Sequence, residues 1–207
     1  MNKSTNIIWH NGSVTYSERC KLLGQKGLVV WFTGLSGSGK SSIAVALEKR
    51  LFEMKRMVYR LDGDNIRHGL NSDLGFSKAD RNENIRRIIE VAALFKDIGL
   101  IILVCFISPY RRMREEARKK IGSDTFIEVY VKADLETCQK RDPKGFYAKA
   151  SKGEIQSFTG LSDPYEEPDN PDFILDTTQI GIKEAVWIIL NAIKEKGIDI
   201  NLKNNKV

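Results

Sequence analysis

The chain has 207 residues, with 33 Lys and Arg against 27 Asp and Glu, for a formal charge of +6. That length fits one α/β domain with its own core, and the basic residues are spread among acidic ones rather than gathered in a stripe with aromatics. The composition therefore argues against nucleic acid and for a site that takes small anions. No apolar run reaches the roughly 18 residues of a membrane span, and Met1 to Trp9 lacks the basic-then-apolar layout of a secretion signal. Three cysteines (Cys20, Cys105, Cys138), odd in number and without C-x-x-C spacing, suit a reduced chain in the cytoplasm.

In chain order, residues 1–27 are polar with scattered aromatics and no clear period, an extension that must be ordered by docking on the domain or on a partner subunit. The domain proper, 28–207, opens with Leu28–Thr33, an apolar run expected to be a strand. Directly after it, Gly34-Leu35-Ser36-Gly37-Ser38-Gly39-Lys40-Ser41 fits G-x-x-x-x-G-K-[ST]. Small residues let this loop curl so that successive backbone N–H groups converge on the phosphates of ATP. Lys40 adds a point charge, and Ser41 offers a hydroxyl to Mg²⁺ at the start of a helix expected over Ser41–Met54, whose positive end faces the anion.

A second strand, Val58–Leu61, leads into Asp62-Gly63-Asp64, two carboxylates at a strand tip beside the phosphate loop, fit to act as a base and to orient a metal. An Asp-Gly turn with a capping aspartate remains the alternative. Helices are then expected over Asp80–Ile98, Arg111–Ile121, Leu135–Arg141 (capped by Asp134) and Ile182–Lys196, and strands over Leu100–Ile107, Phe126–Val131 and Phe173–Asp176. Strand three ends in Cys105-Phe106-Ile107-Ser108 rather than in an acid, which leaves Asp62 as the metal-side carboxylate. Residues 142–168 hold Pro, Gly and aromatics in a connection too long for a simple loop, and read as a lid. The fold expected is an α/β P-loop NTPase of the nucleoside-kinase-like kind: a parallel five-stranded sheet flanked by helices, with a mobile lid. Lys40 and Asp62 are both expected to face solvent in an empty site.

Several blocks together resemble the adenylylsulfate kinase family: Ile8-Trp9-His10, Trp31 through Ser41, Leu61 through Leu70, Leu74-Gly75-Phe76-Ser77, Glu83 through Arg87, Phe106 through Arg111, Arg141 through Gly145, and Phe158-Thr159-Gly160. Tyr16, Ser42 and Phe146 stand where Arg, Thr and Leu are commoner. The resemblance implies transfer of the γ-phosphate of MgATP to the 3′-hydroxyl of adenosine 5′-phosphosulfate (APS), giving 3′-phosphoadenosine 5′-phosphosulfate and ADP. It implies nucleotide contacts from Gly34 through Ser42 and Arg141, with Mg²⁺ held by Ser41 and Asp62. The acceptor's adenine would lie between Phe76 and Phe158, with Arg67, Arg81, Asn84, Asp64 and the Ile107 backbone around its ribose and phosphosulfate. Lys144 would add lid charge.

Catalytic roles fall to Lys40 and Asp62, with Ser108 as a site residue. A serine matching Ser108 is phosphorylated in some members, although direct in-line transfer needs no such intermediate. Members are commonly homodimers, and association with an ATP sulfurylase is left open. Taken singly, Phe76 or Phe158 could be a loop aromatic over local core, and Arg67 or Arg81 a solvated helix charge. A kinase for another small metabolite, or a nucleotide-binding module without turnover, are the competing readings.

Overall fold

The computed structural model describes residues 6–155 and 158–200; residues 1–5 of the extension and 156–157 of the lid lie outside this set. Five strands form one parallel sheet: β1 (Leu28–Thr33), β2 (Val58–Asp62), β3 (Ile101–Cys105), β4 (Phe126–Lys132) and β5 (Phe173–Asp176). Their order is β2-β3-β1-β4-β5, so the first strand is central and the chain winds outward in both directions.

A parallel sheet is covered on both faces, which is why β1, β3 and β4 are almost continuously apolar. Alternate residues of β1 go to opposite layers. Leu28, Val30 and Phe32 join a core with Ile43, Leu47 and Leu51 of α2 (Lys40–Glu53) and with Ile189 and Ile193 of α8 (Ile182–Glu195). Val29 and Trp31 join a second core with Ile85, Ile88 and Ala92 of α4 (Lys78–Ile98) and with Met113 and Ala117 of α5 (Arg111–Ile121). Helix α4 is capped by Ser77 and closed by Gly99 in the left-handed region.

Most boundaries agree with the sequence reading to within two residues, and three helices were not foreseen. The extension folds into α1 (Tyr16–Leu23), started by a capping box in which the Thr15 hydroxyl accepts from the Glu18 N–H and the Glu18 carboxylate accepts from the Thr15 N–H. It docks on α4 through Arg19–Asp97, while Gln25 donates to the Met57 and Gly99 carbonyls. The five residues after Asp62 coil into α3 (Gly63–Arg67), and the lid contains α7 (Phe146–Ser151) after α6 (Leu135–Arg141). Strand β3 stops at Cys105, short of the expected Ile107, because the backbone turns out of the sheet and Ser108 lies at φ 47°.

Leu47 is wholly buried between α2 and the sheet. Leu47→Ala is expected to lower unfolding stability by about 2–5 kcal/mol, through lost transfer energy and the residual cavity. Urea denaturation followed by circular dichroism checks this, with the midpoint falling and the slope unchanged.

Candidate active site

All the groups that point to chemistry gather at the C-terminal edge of the sheet, where ligands of open α/β folds collect. The phosphate loop leaves β1 at Gly34, whose φ of 146° puts any added Cβ 2.3 Å from the Val131 carbonyl oxygen, so only glycine lets the loop pass so close to β4. Behind the loop, Thr177 after β5 donates its hydroxyl to the Ser38 carbonyl (2.9 Å), and Arg141 clasps Thr177 through Nη1 to Oγ1 (2.9 Å) and Nη2 to the carbonyl (2.8 Å). From the lid, the Tyr147 hydroxyl donates to the Ser36 carbonyl at 2.9 Å.

Lys40 and Asp62 are buried, each 8 % exposed, rather than facing solvent as expected. The reason is local. The Lys40 ammonium folds onto its own loop and donates to the carbonyls of Gly34 (2.9 Å) and Leu35 (2.7 Å). Burial without a directly paired anion pulls its pKa from 10.5 down to about 8.

The Asp62 carboxylate serves two structures at once. Oδ1 accepts from the Asp64 N–H and so caps α3, while Oδ2 accepts from Ser41 Oγ (2.9 Å) and from Arg60 Nη1 (3.0 Å). The capping alternative therefore holds for this residue, and the same carboxylate also lies against the head of α2.

The residues expected around the acceptor sit on α3, the loop before α4, α4 itself, the β3 exit and the lid. Phe76 is 61 % exposed, with the Arg67 guanidinium 4.3 Å from its ring centre, and Arg67 also donates to the Leu74 and Gly75 carbonyls. Arg81 is buried; its Nε donates to the Phe76 carbonyl, and its Nη1 to Thr159 Oγ1 and to the Asp163 carboxylate. Asn84 accepts from Asn71 Nδ2 at 2.8 Å. Lys144 pairs with Asp64.

Phe158 is buried and packs edge-to-face on Tyr147 (4.9 Å between ring centres), in a small cluster that also takes in Leu35 of the phosphate loop. Ser108 is 1 % exposed, and its hydroxyl accepts from the Trp31 indole N–H at 3.0 Å. The Ile107 carbonyl accepts from Thr33 Oγ1 at 2.6 Å.

Sequence reasoning missed Arg60, Trp31, Thr33, Tyr147 and Thr177. For four of them the partner lies between 74 and 139 positions away in another element, and for Arg60 it lies two residues along an extended strand, so spacing carries no signal for them. The one legible clue is Trp31, an indole N–H inside a buried strand, which must find an acceptor.

The residues present fit a nucleotide and a cation. Ser38 Oγ is buried without a hydrogen-bond partner among the described residues, within a loop whose amides suit phosphate. Ser41 and Asp62 present hard oxygens, of the kind Mg²⁺ takes as ligands, beside that loop. Among the described residues no group of three or more His, Cys, Asp and Glu could hold a metal by itself, and no helix is long and apolar enough to cross a membrane.

A phosphate loop opening the helix after a central parallel strand, a carboxylate at the tip of the neighbouring strand and a basic lid segment define a P-loop kinase. Residues 26–176 match the profile of the adenylylsulphate kinase family. The chain belongs to that family. It is 54 % identical over 196 residues to the adenylyl-sulfate kinase of Oceanobacillus iheyensis, covering 95 % of this chain and 98 % of the relative. It is 56 % identical over 189 residues to that of Clostridium kluyveri, covering 91 % and 94 %. Among solved structures, the Mycobacterium tuberculosis APS kinase in complex with AMPPNP and APS superposes with a TM-score of 0.78 at 49 % identity, covering 82 % of this chain and 99 % of that one.

Because bound phosphates favour the charged ammonium, the Lys40 pKa in the complex lies above its ligand-free value of about 8. Between the two values binding takes up a proton, so affinity for an ATP analogue should decline as pH rises beyond about 8, by at most about tenfold per unit. Titration calorimetry at pH 8.5 in buffers of different ionisation enthalpy is expected to show this uptake, and to lose it in Lys40→Met.

Proposed function

We infer that the chain is an adenylyl-sulfate kinase: it transfers the γ-phosphate of ATP to the 3′-hydroxyl of APS. The observation that carries the chemistry is the 2.9 Å contact between Ser41 at the head of α2 and Asp62 at the tip of β2, with Lys40 one residue away. It brings a metal-side hydroxyl, a carboxylate and a cation to one point. In our reading Ser41 and Asp62 hold Mg²⁺, which when bound neutralises charge on the phosphates. The loop amides and Lys40 cradle the transferring group, and Asp62 orients the attacking hydroxyl or takes up its proton.

Phe76 and Phe158 are assigned to the acceptor's purine, and Arg67, Arg81 and Asn84 to its ribose and phosphosulfate, since guanidinium forks suit a doubly anionic group. Asp64, Lys144 and the Ile107 backbone complete that half. The near-complete burial of Ser108 and the bond it receives from Trp31 favour direct transfer, with Ser108 as a positioning group and not a phosphate carrier. A homodimer is proposed on the resemblance and on the apolar Ile7, Ile8 and Trp9, each more than 70 % exposed on this chain. Mobile-lid behaviour of 142–168, association with an ATP sulfurylase and a cytoplasmic setting, in keeping with three unpaired cysteines, belong to the same reading.

A coupled ADP-release assay with and without APS tests the activity: release that requires APS supports it, whereas equal release with another small alcohol, or none, overturns it. Lys40→Met and Asp62→Asn are each expected to cut kcat by about a hundredfold or more, roughly 3 kcal/mol of transition-state stabilisation. Steady-state kinetics on folded variants checks both.

Phe158→Ala should weaken APS binding by about tenfold to a hundredfold through lost stacking. Because Phe158 shares its cluster with Leu35, ATP affinity should also fall, by a smaller factor; titration of each ligand separates the two.

A further inference from the structure

The β3 exit and the returning end of the lid are joined by a buried side chain that the reaction itself does not call for. Arg114 on α5 is 2 % exposed, and its three donor nitrogens go to three separate parts of the chain. Nε donates to Glu128 Oε1 on β4 (2.9 Å), Nη1 to the Ser108 carbonyl (2.5 Å) and Nη2 to the Glu166 carbonyl (2.7 Å). A rigid planar fork can serve three acceptors in this way, and a lysine ammonium at the end of a shorter, unbranched stem cannot.

What the fork holds is unusual backbone. Ser108 lies at φ 47°, a region in which a non-glycine residue persists only where its surroundings over-determine it. Here the indole N–H of Trp31 fixes the Ser108 hydroxyl and Arg114 fixes its carbonyl. The lid's return is bound to the same loop: the Glu166 N–H donates to the Pro109 carbonyl (2.8 Å), and Thr33 Oγ1 contacts both the Ile107 carbonyl and the Tyr165 hydroxyl. Residues 107–109 and 165–166 thus form one unit, with Arg114 at its centre. Glu128 also takes Arg118, which in turn pairs with Asp172, so the buried charges are matched.

We propose that Arg114 is a positioning residue for the acceptor half of the site: its two carbonyl bonds set the Ile107–Ser108 backbone relative to the lid's return, and Glu128 supplies the counter-charge that allows a guanidinium to be buried there. The catalytic consequence rests on the reading of Ile107 and Ser108 as acceptor-side residues given above.

The test uses the full chain and compares Arg114→Lys with Glu128→Gln. Arg114→Lys keeps the charge beside Glu128 and loses carbonyl bonds; Glu128→Gln keeps an oxygen for Nε and leaves both carbonyl bonds in place. Loss of charge-assisted bonds of this kind is expected to raise KM for APS by roughly tenfold to a hundredfold in Arg114→Lys, with KM for ATP within about twofold. Glu128→Gln should lower the thermal midpoint and leave KM for APS within about threefold of the parent chain. Equal increases in both KM values in Arg114→Lys, or an APS effect as large in Glu128→Gln, would overturn the proposal and leave a purely structural ion pair.

Amide hydrogen exchange on the ligand-free chain gives a readout independent of substrate. Exchange at Glu166, whose N–H donates to the Pro109 carbonyl, should quicken in Arg114→Lys and not in Glu128→Gln, and no change there sinks the positioning role even if APS proves to be the wrong acceptor. Should Arg114→Lys fail to fold, Tyr165→Phe removes one hydroxyl from the same unit. It should raise KM for APS selectively and quicken Glu166 exchange, and an unchanged KM together with unchanged exchange counts against the proposal.

Discussion

A cation buried without a directly paired anion is the constraint on which the site depends. Lys40 makes no salt bridge among the described residues and turns instead to two carbonyls of its own loop, an arrangement that leaves its charge poorly compensated until phosphates arrive. Such an arrangement survives only if the loop cannot collapse around something else. The surrounding contacts supply that rigidity: Gly34 pressed against β4, Thr177 and Arg141 bracing the back of the loop, and Tyr147 fastening Ser36 from the lid side. Each comes from a different strand end or crossover, so the site requires the whole sheet to be assembled first. Electrostatic preorganisation of this kind is held in place by folding energy before any substrate binds.

The same economy of groups appears at Asp62. One carboxylate oxygen starts a helix and the other receives a hydroxyl and a guanidinium, so local secondary structure and site geometry cannot be varied independently. The lid adds two further ties, Lys144 to Asp64 and Arg81 to Asp163, both reaching the α3–α4 side of the cleft rather than the phosphate loop. Phe158 and Tyr147 face the other way, toward Leu35. The lid segment therefore touches both sides of the cleft, with ionic contacts on one and, on the other, apolar contacts and the Tyr147–Ser36 hydrogen bond.

How much of this could be read from the chain depended on the distance over which each signal acts. The phosphate loop is contiguous and the strands of a doubly covered sheet are mostly apolar, so β1, β4 and β5 were legible nearly to the residue, as were α5 and α6. Helix α1 was missed although its Thr15-x-x-Glu18 box is written in four consecutive residues; with no buried face, it offers no hydrophobic period. Helix α7, six residues long and just after Gly145, is too short to show a period at all. Arg114 and Glu128 drew no reading from the sequence, because nothing in their neighbourhoods announces that α5 lays one against the other in the interior. Solvent exposure of Lys40 and Asp62 was misjudged for a related reason: how a loop folds back on itself is a property of the assembled cradle.

The bond from the Trp31 indole to Ser108 has an optical consequence. The chain carries three tryptophans, and the other two, Trp9 and Trp187, are 86 % and 43 % exposed, whereas Trp31 is fully enclosed in the central strand. On the single chain a water-soluble quencher therefore reaches two indoles and spares the third, and a partner seated on the Ile7–Trp9 patch would shield Trp9 as well. Emission from the enclosed ring reports on an indole that, among the described residues, hydrogen-bonds to the serine at the β3 exit alone. The protein thus carries a built-in spectroscopic reporter on the loop that leads into its cleft, placed there by packing and requiring no label.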